Sequence, residues 1–375
     1  MNFLISVGWY IIPFVLVLSV LIFVHEFGHY IVAKWCKVKV EEFSLGFGKK
    51  LFSRIDKSGT EWKVCAIPFG GYVKMFGDAD AASTPDFEKI EIMSDEAKAM
   101  SFQHKKVHQK MAIIFAGPFF NYLFAILLFV LLFMTFGQKF TSPFISKVQV
   151  DSPAEKAGIQ VGDEIVFLDG KMIEKFEDIK VIVGINFNKT MDVIVNRNGQ
   201  SLELEVTPQA KDVESVGGQK QKTGYIGIFS EEIAVKRYKN PIKAFSQAVK
   251  ISNDMIWATL KALGQIIVGT RSGDELGGPI KIAQLSKDFA SAGVSSLIFF
   301  IAVLSVNLAL INLFPIPVLD GGHLLFYFIE LLIRKPVNQK VQTICYKVGM
   351  FFIIGLAIII TINDVRSFEF IKNLF

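Results

Sequence analysis

Apolar residues in this chain follow two patterns. Four long, nearly unbroken stretches lie at about Leu4–Ala33, Met111–Phe136, Val294–Phe314 and Val348–Ile362, and shorter alternating stretches cluster between the second and third. A helix needs about 20 apolar residues to cross a bilayer core. The first three stretches meet that length, and the fourth does when Val341–Tyr346 extends it as helix. Alternation over Met191–Asn196 and Ser201–Thr207, joined at Asn198-Gly199, predicts a β-hairpin. Phe176–Val183 predicts an amphipathic helix, Gln209–Thr223 a loose polar stretch, and Tyr225–Ile228 a last strand. Asn240 followed by Pro241 predicts a helix start. Phe245, Val249, Ile256, Leu260, Leu263 and Ile267 continue it as an amphipathic helix, on the membrane surface or packed on the β-rich segment, the surface being favoured. Trp62–Met75, alternating around Gly70-Gly71, predicts a hairpin that returns to the membrane. The fold class is therefore a multi-span α-helical membrane protein with about four transmembrane helices, a membrane-associated β-hairpin and an inserted β-rich domain. Its expected segments are 1–137, 138–232, 233–293 and 294–375.

Composition agrees with a membrane protein that carries some soluble mass, since 51% of the 375 residues are hydrophobic and Phe alone contributes 36. The formal net charge of +5 follows no basic stripe, which excludes a nucleic-acid-binding class. Met1-Asn2-Phe3-Leu4 has no basic residue before an apolar run too long for a cleavable signal peptide. Basic residues sort the loops. Lys34, Lys37, Lys39, Lys49, Lys50 and Arg54 follow the first stretch, Lys105, Lys106 and Lys110 precede the second, and Arg334, Lys335, Lys340 and Lys347 lie between the third and fourth. The positive-inside rule then puts both termini and the β-rich segment on the outer side of the membrane, with the basic loops in the cytoplasm. Cys36, Cys65 and Cys345 all fall on the reducing side, with neither zinc-ribbon nor redox spacing.

Candidate chemistry sits where ionisable residues are costly. His25-Glu26-Phe27-Gly28-His29 lies inside the first apolar stretch, and a charge at the centre of a spanning helix costs about 2.5–3.5 kcal/mol even on the lenient scale. Four residues apart on a helix, His25 and His29 share a face and can hold one metal ion, with Glu26 beside it. A catalytic zinc takes three protein ligands and keeps one open position. The third ligand is sought in Asn312-Leu313-Phe314-Pro315-Ile316-Pro317-Val318-Leu319-Asp320-Gly321-Gly322-His323. There the prolines stop the helix, and an extended backbone ending at Asp320 is expected to line a cavity. Asp320 is the candidate and His323 its competitor. Asn312 reads either as a packing amide or as a donor to substrate backbone or a developing oxyanion. His104 and His108 are also four apart, but Lys105 and Lys106 between them mark a basic, solvated helix.

Two resemblances follow from these residues. Ser152-Pro153-Ala154…Ala157-Gly158-Ile159…Gly162-Asp163-Glu164-Ile165, with the strands after it, resembles a PDZ domain, which implies binding of an extended peptide or a protein C-terminus. His-Glu-Phe-Gly-His, the Asn-x-x-Pro-x-Pro-x-Leu-Asp-Gly run and an outer PDZ domain together resemble the site-2 protease family of zinc intramembrane metalloproteases, in the bacterial branch that cleaves anti-sigma factors. Gly46-Phe47-Gly48, Ile67–Met75 and Ala116-Gly117-Pro118-Phe119-Phe120-Asn121 are similar to family elements as well. The resemblance implies that His25, His29 and Asp320 bind Zn2+ and that Glu26 is the general base. It also implies that Asn312, Asn121, Gly70, Gly71 and Tyr72 contact a single-span membrane substrate, an anti-sigma factor or a remnant signal peptide. The best-studied members of the branch carry two tandem PDZ domains, whereas this chain has motifs for one. The alternative is a PDZ membrane scaffold with a structural or inactive metal site.

Overall fold

A computed structural model describes residues 2–78, 93–214, 220–269 and 277–367. The chain forms two compact units, one of Met1–Leu131, Phe245–Thr259 and Asp274–Phe375, the other of Leu132–Ala244 and Leu260–Gly273.

The first unit begins with α1 (Asn2–Trp35), followed by β1 (Val40–Ile55) and β2 (Glu61–Met75), then α2 (Val107–Thr135). The expected reversal within Trp62–Met75 is present inside β2, but its two arms do not pair with each other: Glu61–Val64 and Gly71–Lys74 lie on opposite edges of the same β1 residues, Glu42–Leu45, and a further turn at 56–60 joins β1 to β2. Gly46 and Gly48, at φ +86° and +82°, bend β1 back on itself. Its near half lies between the two arms of β2 (Phe43 pairs with Val73 and with Trp62), while Phe52 and Ile55 on its far half pair with Val64 and Glu61. Leu51, Phe52 and Ile55 on the far half are exposed apolar residues. Asp56 anchors the turn. Its Oδ1 accepts from the Ser58 and Thr60 backbone amides at 2.8 and 3.0 Å, and its Oδ2 from Trp62 Nε1 at 3.0 Å and Tyr30 of α1 at 3.2 Å. Val40, Phe43, Val73 and Met75 bury against Ala33 of α1 and Ile113 of α2 in one apolar cluster.

Among the described residues, four helices are long and apolar enough to cross a membrane: Trp9–Trp35, Val107–Thr135, Val294–Asn312 and Lys340–Val365.

In the second unit, β3 (Gln138–Thr141) and β4 (Lys147–Val148) precede β5 (Glu164–Leu168), β6 (Lys171–Met172) and α3 (Phe176–Ile185). Strands β7 (Met191–Arg197), β8 (Gln200–Val206), β9 (Gln209–Glu214), β10 (Lys220–Tyr225), β11 (Ile228–Phe229) and β12 (Ile233–Lys236) complete it. The sheet order is β6-β5-β7-β8, and alternate residues of β7 (Met191, Val193 and Val195) enter a core shared with Ile165, Leu168, Phe176 and Ile179. Two expectations change. The polar stretch after Gln209 contains the antiparallel pair β9–β10, with 215–219 outside the described residues, and the strand expected at Tyr225–Ile228 is followed by β12, paired with β3.

Asp163 closes this core. Fully buried, it takes a bidentate pair from Arg197 (Nε to Oδ1 at 2.7 Å, Nη2 to Oδ2 at 2.8 Å) and the Gln160 amide at 2.8 Å. Burial alone would raise its pKa, but the Arg197 bonds and that amide outweigh it and hold the carboxyl below its ordinary value. The stabilisation is therefore fully present above the ordinary carboxylate pKa of about 3.9 and is lost as pH falls through the lower folded value. Circular dichroism or limited proteolysis of the full chain in detergent should show the β-rich unit giving way only below about pH 4. Asp163→Asn should open it at neutral pH, and unchanged acid resistance of that variant would refute the role.

The chain then forms α4 (Pro241–Ile267), α5 (Pro279–Ser291), α6 (Val294–Asn312), α7 (Asp320–Ile333) and α8 (Gln339–Ser367). Asn240 caps α4, its side chain accepting from the Ile242 and Lys243 amides. In the first unit, Asn253 of α4 accepts from Tyr122 of α2 at 2.8 Å, and Thr259 donates to Asn307 of α6 at 3.1 Å. Asp364 of α8 accepts the Gly278, Ile280 and Lys281 amides at the start of α5.

Candidate active site

His25 and His29 share one face of α1, and the turn between α6 and α7 brings Asp320 to them. The extended backbone expected after the prolines is corrected to a run of turns, with Ile316 N bonded to Phe314 O and Leu319 N to Ile316 O. Asp320 is the first residue of α7. Val318 takes φ +89°, a left-handed conformation that a β-branched side chain rarely adopts. Glycines hold the turn closely: a Cβ on Gly322 would lie 2.4 Å from Ile316 O, and one on Gly349 of α8 would lie 2.4 Å from Pro317 O.

His25 Nε2 lies 3.2 Å from His29 Nε2 and 3.1 Å from Asp320 Oδ2, and His29 Nε2 lies 3.6 Å from Asp320 Oδ1. Zinc bonds of about 2.0–2.1 Å at tetrahedral angles set neighbouring ligand atoms about 3.3 Å apart, so these spacings fit one ion. A second observation agrees. Asp320 Oδ2 is buried and makes no hydrogen bond, although His25 Nε2 is close. Two imidazoles and a carboxylate are a normal zinc donor set, and the cluster holds one ligand atom from each residue within 4.8 Å of the others.

These residues line a cavity of about 190 Å³. Glu26 reaches its wall next to β2, where a Cβ on Gly71 would lie 3.0 Å from Glu26 Cγ. Tyr72 and Asn312 also line the cavity; the Tyr72 hydroxyl donates to Glu42 at 2.9 Å, and its ring stacks on Phe47. Gly70, at φ +111°, sits beside Gly71 on the strand. Asn121 is fully buried, with its amide nitrogen 3.2 Å from His25 Nδ1. His323 lines the cavity with Nδ1 3.1 Å from the Tyr346 hydroxyl, outside the three-residue cluster. Sequence reasoning overlooked the Tyr346 contact and the role of Gly117, where a Cβ would lie 2.3 Å from His29 Nε2. The signal for Gly117 was available, since it lies one turn before Asn121 on the same helix.

The family model described as Peptidase family M50 matches residues 13–356. "Putative zinc metalloprotease Atu1380" of Agrobacterium fabrum is 40% identical over 362 residues, covering 96% of each chain. Metalloprotease MmpA of Caulobacter vibrioides is 34% identical over 390 residues, covering 97% of this chain and 98% of its own. Among solved structures, the PDZ domain of an SdrC-like protein from Listeria monocytogenes matches 24% of this chain and 90% of its own, at 18% identity and TM-score 0.21. The M50 match includes both the histidine pair and Asp320, and the relatives align over nearly their whole lengths: the chain belongs to peptidase family M50 and is a zinc metalloprotease of that family.

Proposed function

We propose that this chain is an intramembrane endopeptidase that hydrolyses a peptide bond in the membrane-spanning segment of a single-span protein, such as an anti-sigma factor or a remnant signal peptide. The observation that carries the reading is a zinc-type donor set and a carboxylate converging on one cavity, built on a helix apolar enough to span a bilayer. His25, His29 and Asp320 would hold the zinc and Glu26 would be the base. A zinc held there would supply Lewis acidity toward the scissile carbonyl and the attacking water. Glu26 would take a proton from the attacking water and pass it to the departing amine. Asn312, at the end of α6 and in the cavity lining, would donate to the developing oxyanion.

A helical substrate hides its carbonyls in its own hydrogen bonds, so it must be extended before attack. In the proposal the Gly70-Gly71-Tyr72 edge of β2 receives it as an added strand. The exposed Leu51, Phe52 and Ile55 support contact of the hairpin with lipid. The basic loops favour an orientation with the termini and the β-rich unit outside, and the bacterial relatives favour a bacterial cytoplasmic membrane. In that unit, a groove of about 450 Å³ lies between α3 and the segment 223–231, and β11 pairs with β4 alone among the described residues. An open strand edge facing a helix suits a single PDZ domain that takes a peptide or a protein C-terminus.

The test is cleavage of a truncated single-span substrate by the purified full chain in detergent. The expected result is a cut in the cytoplasmic half of the span, abolished by a chelator and restored by Zn2+. Cleavage that survives complete removal of zinc would refute the mechanism. Bound zinc with no cleavage of any spanning substrate would favour the scaffold.

A further inference from the structure

α2 runs behind both candidate metal-binding imidazoles, and it meets them differently. His29 Nδ1 lies 2.9 Å from Ile113 O. A carbonyl only accepts, so Nδ1 carries the proton and Nε2 presents its lone pair to the cluster. His25 has a side-chain amide in the corresponding place. The nitrogen of Asn121 is 3.2 Å from its Nδ1, while Asn121 Oδ1 is buried with no hydrogen-bond partner. The backbone of Asn121 is fixed in turn, since Ser305 of α6 donates to its carbonyl at 2.7 Å.

A neutral imidazole has one N–H and one lone pair. When the Asn121 amide donates to Nδ1, the proton of His25 must sit on Nε2, the atom that faces His29 Nε2 and Asp320 Oδ2. A cation in the cluster requires the opposite arrangement: a lone pair on Nε2, a proton on Nδ1 and an acceptor opposite it. A half-turn of the amide brings the unpartnered Oδ1 to that point.

We propose that Asn121 is a positioning residue for the metal, whose side-chain carbonyl fixes the zinc-binding tautomer of His25 as the Ile113 carbonyl does for His29. α2 then supplies the outer hydrogen bonds of both imidazoles, the kind of support that sets ligand orientation and basicity. The assignment rests on the metal reading of His25, His29 and Asp320.

The experiment measures Zn2+ affinity of the full chain in detergent by competition with a chromophoric chelator, for wild type, His25→Ala, Asn121→Leu and Asn121→Asp. Leu keeps the branched shape of Asn, at larger volume, without an acceptor, whereas Asp keeps the acceptor. Zinc affinity should fall about 10–100-fold in Asn121→Leu and stay within a few-fold of wild type in Asn121→Asp. The visible absorption of Co2+ at the site should be kept only in the Asp variant. A packing role predicts the reverse order, because an unpaired buried carboxylate disrupts a helix interface more than leucine does. Wild-type affinity in Asn121→Leu, or weaker binding in Asn121→Asp than in Asn121→Leu, overturns the proposal. Absent zinc binding in wild type, or binding indifferent to His25→Ala, overturns the metal reading and the proposal with it.

Discussion

Replacing Glu26 by Gln should slow peptide-bond cleavage about 10²–10⁴-fold, the usual weight of a positioned general base, while zinc stays bound. The two side chains have nearly the same shape, and Glu26 packs against β2 beside Gly71 rather than among the ligand atoms, so the cavity wall is preserved. What the variant loses is the ability to take a proton from water and return it to the amine. Single-turnover cleavage of a spanning substrate, read beside the metal content of the same preparation, separates the outcomes. Activity within a few-fold of wild type would remove Glu26 from the mechanism. Loss of zinc together with activity would mean that Glu26 holds the site rather than moving a proton.

Gly117→Ala should abolish zinc binding, although residue 117 touches no metal in the proposal. The added Cβ would lie 2.3 Å from His29 Nε2, 2.5 Å from His29 Cε1 and 2.8 Å from His25 Cε1. Something must move, and each movement harms the site. His29 cannot simply rotate without breaking the bond from Nδ1 to Ile113 O, which belongs to the same helix as the intruding methyl. α2 cannot retreat without opening its contact with α1, where a Cβ on Gly28 would lie 2.4 Å from Ala116 O. Overpacking of this kind costs about 1–3 kcal/mol, and here it falls on the metal-facing atoms. Gly355→Ala on α8 is the control, because no heavy atom lies within 4 Å of the added methyl. Zinc content and thermal unfolding in detergent should be near wild type for Gly355→Ala, with zinc lost in Gly117→Ala. Equal zinc in both variants would refute this account of the helix contact.

The long helices could be read from the sequence because unbroken apolar runs leave few alternatives in length. The β7–β8 pair and the α4 cap were legible because alternation, Asn-Gly and Asn-Pro are local signals. Elements that depend on distant partners were not. The sequences of β9 and β10 are mostly polar and carry no alternating apolar row, so nothing in their period distinguishes them from a loop. The reversal inside β2 was legible from the alternation around Gly70-Gly71, but the insertion of β1 between its two arms, across the turn at 56–60, was not. The grouping of His25, His29 and Asp320 was expected from donor chemistry, but the contacts of α2 behind the histidines join residues 84 and 96 positions apart. No short-range pattern encodes those distances.

The contacts of α8 with the turn before Asp320 shift the outer limit of the catalytic unit. Gly349 rests against the Pro317 carbonyl and Tyr346 meets His323, yet both lie on a helix that begins at Gln339, past the last residue of the recognisable signature. Val318 holds a backbone conformation its own side chain disfavours, so neighbours must impose it. A piece of this chain ending at Ile333 would contain every proposed ligand and the proposed base, but not the α8 contacts that brace the turn before Asp320. Under the proposed function, the smallest self-sufficient protease in this chain is therefore longer than its motifs, and α8 serves the geometry of the site as well as any span it makes.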